Sequence, residues 1–323
     1  MIRGFINDKQ RLRVAARPMD QLDELLWLDL IEPTREEEAL VEARYGINVP
    51  THEDMAEIEI SSRLYRENGA AFMTATLVAQ SDSEEPVVAP VSFVLHNHRL
   101  ITVRYHEPRA FQTFPTRAEQ AAVFGDSAEA LLIALLDAIV DRIADILERG
   151  GQDVDRVSRE VFRSETAKRS RARDFQRILA QIGRGGDLVS NIRNSLMSLE
   201  RLVGFLNLGI AQYGIDQELR SQVETLRDDV HSLIDHADFL SQKITFLLDA
   251  TLGMITMEQN AIVKIFSIVA VVFLPPTLIA SVYGMNFQHL PELDWRLGYP
   301  LALSLMVLSA AVSYWYFKRR GWL

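Results

Sequence analysis

Over the first 125 residues the hydrophobic pattern is mixed, with strand-like stretches set among helical ones. Met1–Ile6 and Arg11–Val14 read as a hairpin about Asn7-Asp8-Lys9-Gln10, and Leu25–Ile31 reads as another strand. Gly69–Gln80 and Val91–Tyr105 supply three more, the last two joined at His96-Asn97-His98. Thr34 and Glu37 have the spacing of a capping box, which opens a helix that closes near Gly46. Residues 1–125 are therefore expected to form an α/β domain.

Past Gly125 the period is that of helices throughout. Ser127 caps a helix rich in Leu, Ile and Ala that reaches Arg149, or Arg163 if it passes Gly150-Gly151. A second helical run spans 168–208, with breaks expected at Gly183–Gly186 and again at Gly209 and Gly214. Residues 126–217 form this helical segment. From Glu218 to Tyr283 the pattern is broken only by Gly253 and Pro275-Pro276. Read as one helix, about 66 residues at 1.5 Å each span roughly 100 Å.

Two apolar runs follow, Ile265–Tyr283 and Leu297–Phe317. Each is close to the roughly 20 residues that cross the hydrocarbon of a bilayer. Lys264 precedes the first run and Lys318-Arg319-Arg320 ends the second, while the loop between them carries Glu292 and Asp294 against Arg296. By the positive-inside rule, 218–283 is a stalk helix continuing into a first span and 284–296 is an external loop. The second span is then 297–317, and 318–323 is a basic cytoplasmic tail. Tyr283, Trp295, Tyr299, Tyr314, Trp315, Tyr316 and Trp322 fall near the ends, as an aromatic belt does. The stretch Met1–Asp8 lacks the apolar core of a signal peptide, so both termini are expected in the cytoplasm and the spans in an inner membrane. Two spans cannot enclose a pore, so transport requires several copies of the chain.

Charge and composition then narrow the function. A net charge of -10 argues against nucleic acid as a partner, and the absence of Cys excludes disulfides and thiolate metal sites. There is no Gly-x-x-x-x-Gly-Lys-Ser/Thr loop, and Gly183-Arg184-Gly185-Gly186 is too short to replace one. No Ser/His/Asp or paired-carboxylate arrangement is evident, so neither an enzyme nor an organic cofactor is indicated. His96 and His98 read as exposed turn residues. Arg163, Lys168, Arg169, Arg171, Arg173 and Arg177 read as a solvated basic helix face, with anionic lipid or the acidic stalk as the alternative partner.

The candidate chemistry sits at the membrane. Tyr283-Gly284-Met285-Asn286 offers backbone carbonyls and a carboxamide without charge, a set that suits a cation keeping its water shell. Gly followed by Asn also ends helices, so a plain cap is the competing reading. At a period of 3.5 the long helix has one seam, Asn260, Val263, Ser267, Ala270, Leu274, Thr277 and Ser281, in which four of the seven carry short polar groups inside an otherwise apolar span. Polar residues in a span face a bundle interior or a water-filled cavity. Small residues also serve helix packing, and that reading stays open for Ser267 and Ser281. Leu274 would be an apolar constriction. Pro275 and Pro276 deprive the Val271 and Val272 carbonyls of their donors, which either kinks the helix or frees a carbonyl for the lumen. Continued toward the N-terminus, the seam reaches Asp249 and Asp235, with Asp228, Asp229 and Asp238 nearby. These are either cation-attracting rings or a solvated acidic face.

The C-terminal third resembles the CorA family of magnesium and cobalt channels. The resemblance is carried by Glu258-Gln259-Asn260, Phe273-Leu274-Pro275-Pro276-Thr277, Tyr283-Gly284-Met285-Asn286-Phe287, Pro291-Glu292-Leu293-x-Trp295, Gly298-Tyr299-Pro300 and Tyr316–Leu323, in that order. It implies a funnel-shaped homopentamer with a cytoplasmic α/β domain, a pore-lining stalk helix and an outer helix. It also implies passage of Mg2+, and of Co2+ and Ni2+, driven by the membrane potential. Hydrated Mg2+ would be selected at Asn286, and cytoplasmic Mg2+ between subunits would hold the channel closed; the candidate ligand on the stalk is Asp228 or Asp229, acting with an acidic group on the neighbouring α/β domain. Gln288 and Leu290 depart from the family's usual Glu and Met, which removes a carboxylate from the outer mouth. Retention of Gly-Met-Asn favours magnesium over the family's zinc branch, which with a proton-coupled carrier is the rival within transport. A membrane-anchored sensor or scaffold is the rival outside it.

Overall fold

The computed structural model describes residues 1–81, 83, 86–163, 171–213, 217–285, 295 and 297–322. The chain forms two units, Met1–Leu248 and Asp249–Leu323. The first is built on a seven-stranded sheet of order β2-β1-β3-β7-β6-β5-β4. Its strands are β1 (Ile2–Asn7), β2 (Leu12–Val14), β3 (Trp27–Ile31), β4 (Leu64–Glu67), β5 (Ala70–Ala79), β6 (Val87–His96) and β7 (Arg99–Arg104). Neighbours are antiparallel except β3 and β7, which pair in parallel through Trp27 opposite Leu100 and Leu30 opposite Val103. The strands β3 and β7 are buried on both faces. Leu28, Leu30, Ile101 and Val103 meet Val41, Val49 and Met55 from α1 (Arg35–Tyr45), α2 (His52–Ala56) and the segment between them. On the opposite face Trp27 meets Phe111 and Phe114 of α4 (Ala110–Gln120) at ring distances of 6.1 and 6.2 Å.

Local chemistry explains the elements that periodicity predicts. The Thr34–Glu37 capping box is formed, and Gly46 closes α1 in the left-handed region at φ 71°. Ser127 accepts the Ala130 N–H at 3.1 Å and starts α5 (Ala128–Arg163). The β6–β7 turn places Asn97 and His98 at φ 45° and 61°, the signs that a two-residue hairpin turn needs.

Other elements depart from the pattern. The short α3 (Ile60–Arg63) and β4 were not legible, because β4 is a four-residue edge strand paired only with β5. Strand β6 starts four residues earlier than expected and includes Pro90. That segment pairs with β5 alone, since β7 pairs with β6 only from Val91 onward. Helix α4 forms through Pro115 because Ala110, Phe111, Phe114 and Ala118 make one buried stripe. His96 is buried rather than exposed.

Helix α6 (Arg171–Tyr213) runs unbroken through Gly183–Gly186 and Gly209, against the expected interruptions; Gly214 lies outside the described residues. A Cβ at 185 or 186 would lie in ordinary contact with Val154 of α5 and Ile244 of the next helix, so these glycines sit in a helix–helix seam. Burial of the neighbouring Ile182, Val189 and Ile192 outweighs their roughly 1 kcal/mol propensity cost apiece. At 209 a Cβ would collide with the Arg66 guanidinium.

Helix α7 (Gln217–Tyr283, 67 residues) contributes to both units, and Pro275 and Pro276 lie inside it. In the second unit, α8 (Gly298–Arg319) buries Gly298 and Ala302 and half-buries Met306, Ser309, Ala310, Ser313 and Phe317 along one stripe. The corresponding stripe of α7 is Lys264, Ile268, Val272, Ile279 and Tyr283. Both helices are long and apolar enough to cross a membrane, and only 6% of the apolar stretch of each is buried. Those apolar stretches are not the core of a soluble fold.

Candidate functional site

All seven seam positions, Asn260, Val263, Ser267, Ala270, Leu274, Thr277 and Ser281, are exposed in the single chain. The buried member of this stretch is Ile268, at 5% exposure. At about 100° of rotation per residue, the seam centres roughly 130° around the helix from Ile268. It therefore faces away from the stripe that the hairpin of α7 and α8 uses for itself. The remaining exposed arc of α7 carries larger groups, Ile262, Ile265, Phe266, Val269 and Phe273. The seam side is partly polar, with the exposed Val271, Leu278 and Val282 lying between it and the stripe that faces α8.

Two of the seam's three hydroxyls are tied to the backbone. Ser267 donates to the Val263 carbonyl at 2.8 Å, and Thr277 donates to the Phe273 carbonyl at 2.7 Å, just before the two prolines. A hydroxyl whose proton is spent this way presents only lone pairs outward. At these two positions the wall accepts hydrogen bonds from water, which matches the outward-pointing protons of a hydrated cation. Leu274, at 65% exposure, is the bulkiest seam residue. The helix ends with Gly284 donating to the Ala280 carbonyl at 2.9 Å and Met285 to the Val282 carbonyl at 3.4 Å. Gly284 does not adopt the left-handed conformation of an ordinary glycine cap. A Cβ there would approach the Ala280 oxygen to 3.1 Å. Asn286, with Gln288, Leu290, Glu292, Asp294 and Arg296, lies outside the described residues, as do Lys168 and Arg169.

In the first unit, Asp228 and Asp229 are exposed on α7. Burial pushes the Asp137 carboxyl above its ordinary range, and the charges of Asp141 and Asp229 add to the rise while Arg117 opposes it. Asp229 is thus brought into the field of an acidic pair on α5 that sequence reading missed. The pair's spacing of four residues, one face of one helix, was the available signal. Among the described residues no group of three or more His, Asp or Glu side chains is placed to hold a metal. The cluster repels itself without forming a chelate within one chain. Asp249 is exposed, and Asp238 is paired with Arg193.

The family model described as CorA-like Mg2+ transporter protein matches residues 23–319. The chain belongs to the CorA family. Membership places it among transporters rather than enzymes. The chain is 33% identical to the magnesium transport protein CorA of Pasteurella multocida over 324 residues, covering 100% of both chains. Identity and coverage are the same for the CorA proteins of Salmonella typhimurium and Haemophilus influenzae.

Solved structures bear out the fold, an α/β domain followed by a long helix and a second apolar helix. The CorA magnesium transporter of Methanocaldococcus jannaschii superposes with a TM-score of 0.79 at 20% identity, covering 100% of this chain and 99% of that one. The full-length CmaX protein gives 0.73 at 18% identity, with 99% and 97% covered. The ZntB cytoplasmic domain from Vibrio parahaemolyticus gives 0.55 at 9%, with 79% and 98% covered. A fold shared by CorA and ZntB proteins does not choose the ion, so that choice rests on residues.

Proposed function

We propose that the chain assembles as a homopentamer in the inner membrane and conducts Mg2+ inward down the membrane potential, with both termini cytoplasmic. The observation that carries the reading is the seven-residue seam, exposed along its length and turned away from α8. Five copies of α7 around an axis would face these seams together and leave the bulky arc and α8 to neighbours and lipid. The hydroxyl lone pairs then accept from the ion's water shell at several weak sites, as conduction requires. Mg2+ dehydrates reluctantly, so a wall of acceptors without charge suits it better than a carboxylate cage. Asn286, with the Tyr283, Gly284 and Met285 backbone, is the proposed selectivity filter, and Asp249 concentrates cations at the inner mouth.

A divalent ion crossing 100 mV gains roughly 4.6 kcal/mol, about 2.3 per charge, which supports about a two-thousand-fold concentration ratio. No nucleotide is needed. Co2+ and Ni2+ follow the same route, since their hydrated ions present the same protons. Cytoplasmic Mg2+ closes the channel by pairing Asp228 or Asp229 with an acidic group of the neighbouring subunit; within one chain, burial and the charges of Asp141 and Asp229 already raise the Asp137 carboxyl. Loss of the ion restores the repulsion between the paired carboxylates and opens the pore.

The test is Mg2+ influx into proteoliposomes at imposed potentials, with and without a proton gradient. Influx should follow voltage alone, and Asn286→Ala should abolish selectivity for Mg2+. Dependence on the proton gradient, or preference for Zn2+, would replace this reading with a proton-coupled or zinc carrier. A monomeric mass in detergent would remove the pore altogether.

A further inference from the structure

The foot of the hairpin in the second unit is a built structure rather than a frayed end. Helix α8 closes with Gly321 in the left-handed region at φ 70°, the Gly321 N–H donating to the Lys318 carbonyl at 3.2 Å and the Trp322 N–H to the Phe317 carbonyl at 3.0 Å. This pair of bonds is a Schellman motif, and the apolar contact that accompanies such motifs is present between Trp322 and Phe317 at 5.6 Å. The turn brings the Trp322 ring back to α7, where the Lys264 ammonium lies 5.4 Å from its centre. Arg319 sits over Trp315 at 5.2 Å and Arg320 over Tyr316 at 5.4 Å.

Lys264, Lys318, Arg319 and Arg320 are thus gathered by two helices at the end of the apolar spans, three of them steadied on aromatic faces. Among the described residues none of the four has a carboxylate within ion-pair distance, although the first unit pairs many of its cations. A cluster of cations at the ends of two apolar spans, with Trp315, Tyr316 and Trp322 beside it, has the chemistry of a seat for a phosphodiester. The first unit offers a larger cleft of about 1280 Å³, but its lining mixes Arg66 and Arg99 with Glu67, Asp126, Glu129 and Glu218 and points to no ligand charge. We propose that the Gly321–Trp322 turn and Lys264 form a site for the phosphate of an anionic membrane lipid, with the acyl chains lying along α8. The lipid bridges α7 to α8 at the inner mouth. The inference rests on the membrane reading of both helices and not on which ion is carried.

Binding is read by native mass spectrometry of the delipidated full chain, titrated with phosphatidylglycerol or phosphatidylcholine. The chain should retain phosphatidylglycerol in preference. Removing charge in Arg319→Gln/Arg320→Gln should weaken that retention about fivefold per cation. Gly321→Ala is the decisive variant, since it keeps every charge and strains only the turn. It should lose most of the preference while its thermal midpoint in detergent stays near the native value. Equal retention of the two lipids overturns the site. An unchanged Gly321→Ala also overturns it, leaving only a diffuse topological anchor. Displacement of the lipid by millimolar inorganic phosphate would assign the cluster to a soluble anion instead. None of these readouts depends on transport.

Discussion

Replacing Asp29 by Asn changes one atom at the centre of the first unit and should be among the most destabilising substitutions in the chain. Asp29 and Arg104 form a two-bonded ion pair at 1% and 0% side-chain exposure, through Nε to Oδ1 at 3.1 Å and Nη2 to Oδ2 at 2.9 Å. Thr102 donates to Asp29 Oδ1 at 2.8 Å and accepts from the Trp27 indole at 2.9 Å. Arg104 Nη1 donates to the His106 carbonyl at 2.8 Å, and the guanidinium lies 4.8 Å from the Phe111 ring centre. Asn at 29 keeps the volume but leaves a buried guanidinium without its counter-charge. Breaking such a pair costs about 3–5 kcal/mol. For a unit of this size that lowers the melting midpoint by roughly 6–20 °C.

The double variant Asp29→Leu/Arg104→Met removes both charges and should recover at least half of the loss. Full recovery is not expected, because the Thr102 hydroxyl and the His106 carbonyl lose a partner each. The assay is denaturant and thermal unfolding of the full chain in detergent, read by tryptophan emission, since Trp27 belongs to the network. The reasoning fails if Asp29→Asn costs under about 1 kcal/mol, or if the double variant is no more stable than the single.

Three further outcomes follow from the same physics. His106 is held down to about 4 by burial and by the Arg104 charge, against the Leu77 carbonyl that its ring meets at 3.1 Å. Its folded value lies below its unfolded one, so its contribution is complete above about pH 6.5 and lost as pH falls toward 4, up to roughly 3 kcal/mol; His106→Asn should flatten that acid limb in unfolding curves. Because the Asp137 carboxyl is raised, stability falls as pH climbs through its titration, and Asp229→Asn should move that step to lower pH in NMR titrations while weakening closure by internal Mg2+. On the spans, Leu274→Ser should raise Mg2+ flux under closing conditions, whereas Ile268→Ala on the opposite stripe should lower the melting midpoint and leave ion selectivity unchanged; reversed effects would misplace the pore wall.

What the sequence determined by itself was whatever local chemistry or a long period carries. Thr34 with Glu37, Ser127 and Gly46 act over three or four residues, so their caps form as read. The apolar runs of α7 and α8 are each close to the length that crosses a bilayer and carry almost no charge, so their membrane character needed no fold. The order of motifs from Glu258 to Trp322 placed the family for the same reason. Tertiary structure decided the elements whose local signal pointed the other way. Gly183–Gly186 read as a break, yet burial of Ile182 and Val189 outweighs the propensity cost. The Asp29–Arg104 pair joins residues 75 apart in sequence through the parallel register of β3 and β7, a pairing that no local pattern encodes. The field of Asp229 on Asp137 and the fold of Trp322 over Lys264 arise likewise from helices meeting in space. Propensity and capping act over a few residues, whereas burial and charge act over a few ångströms, and only a folded chain makes distant residues neighbours.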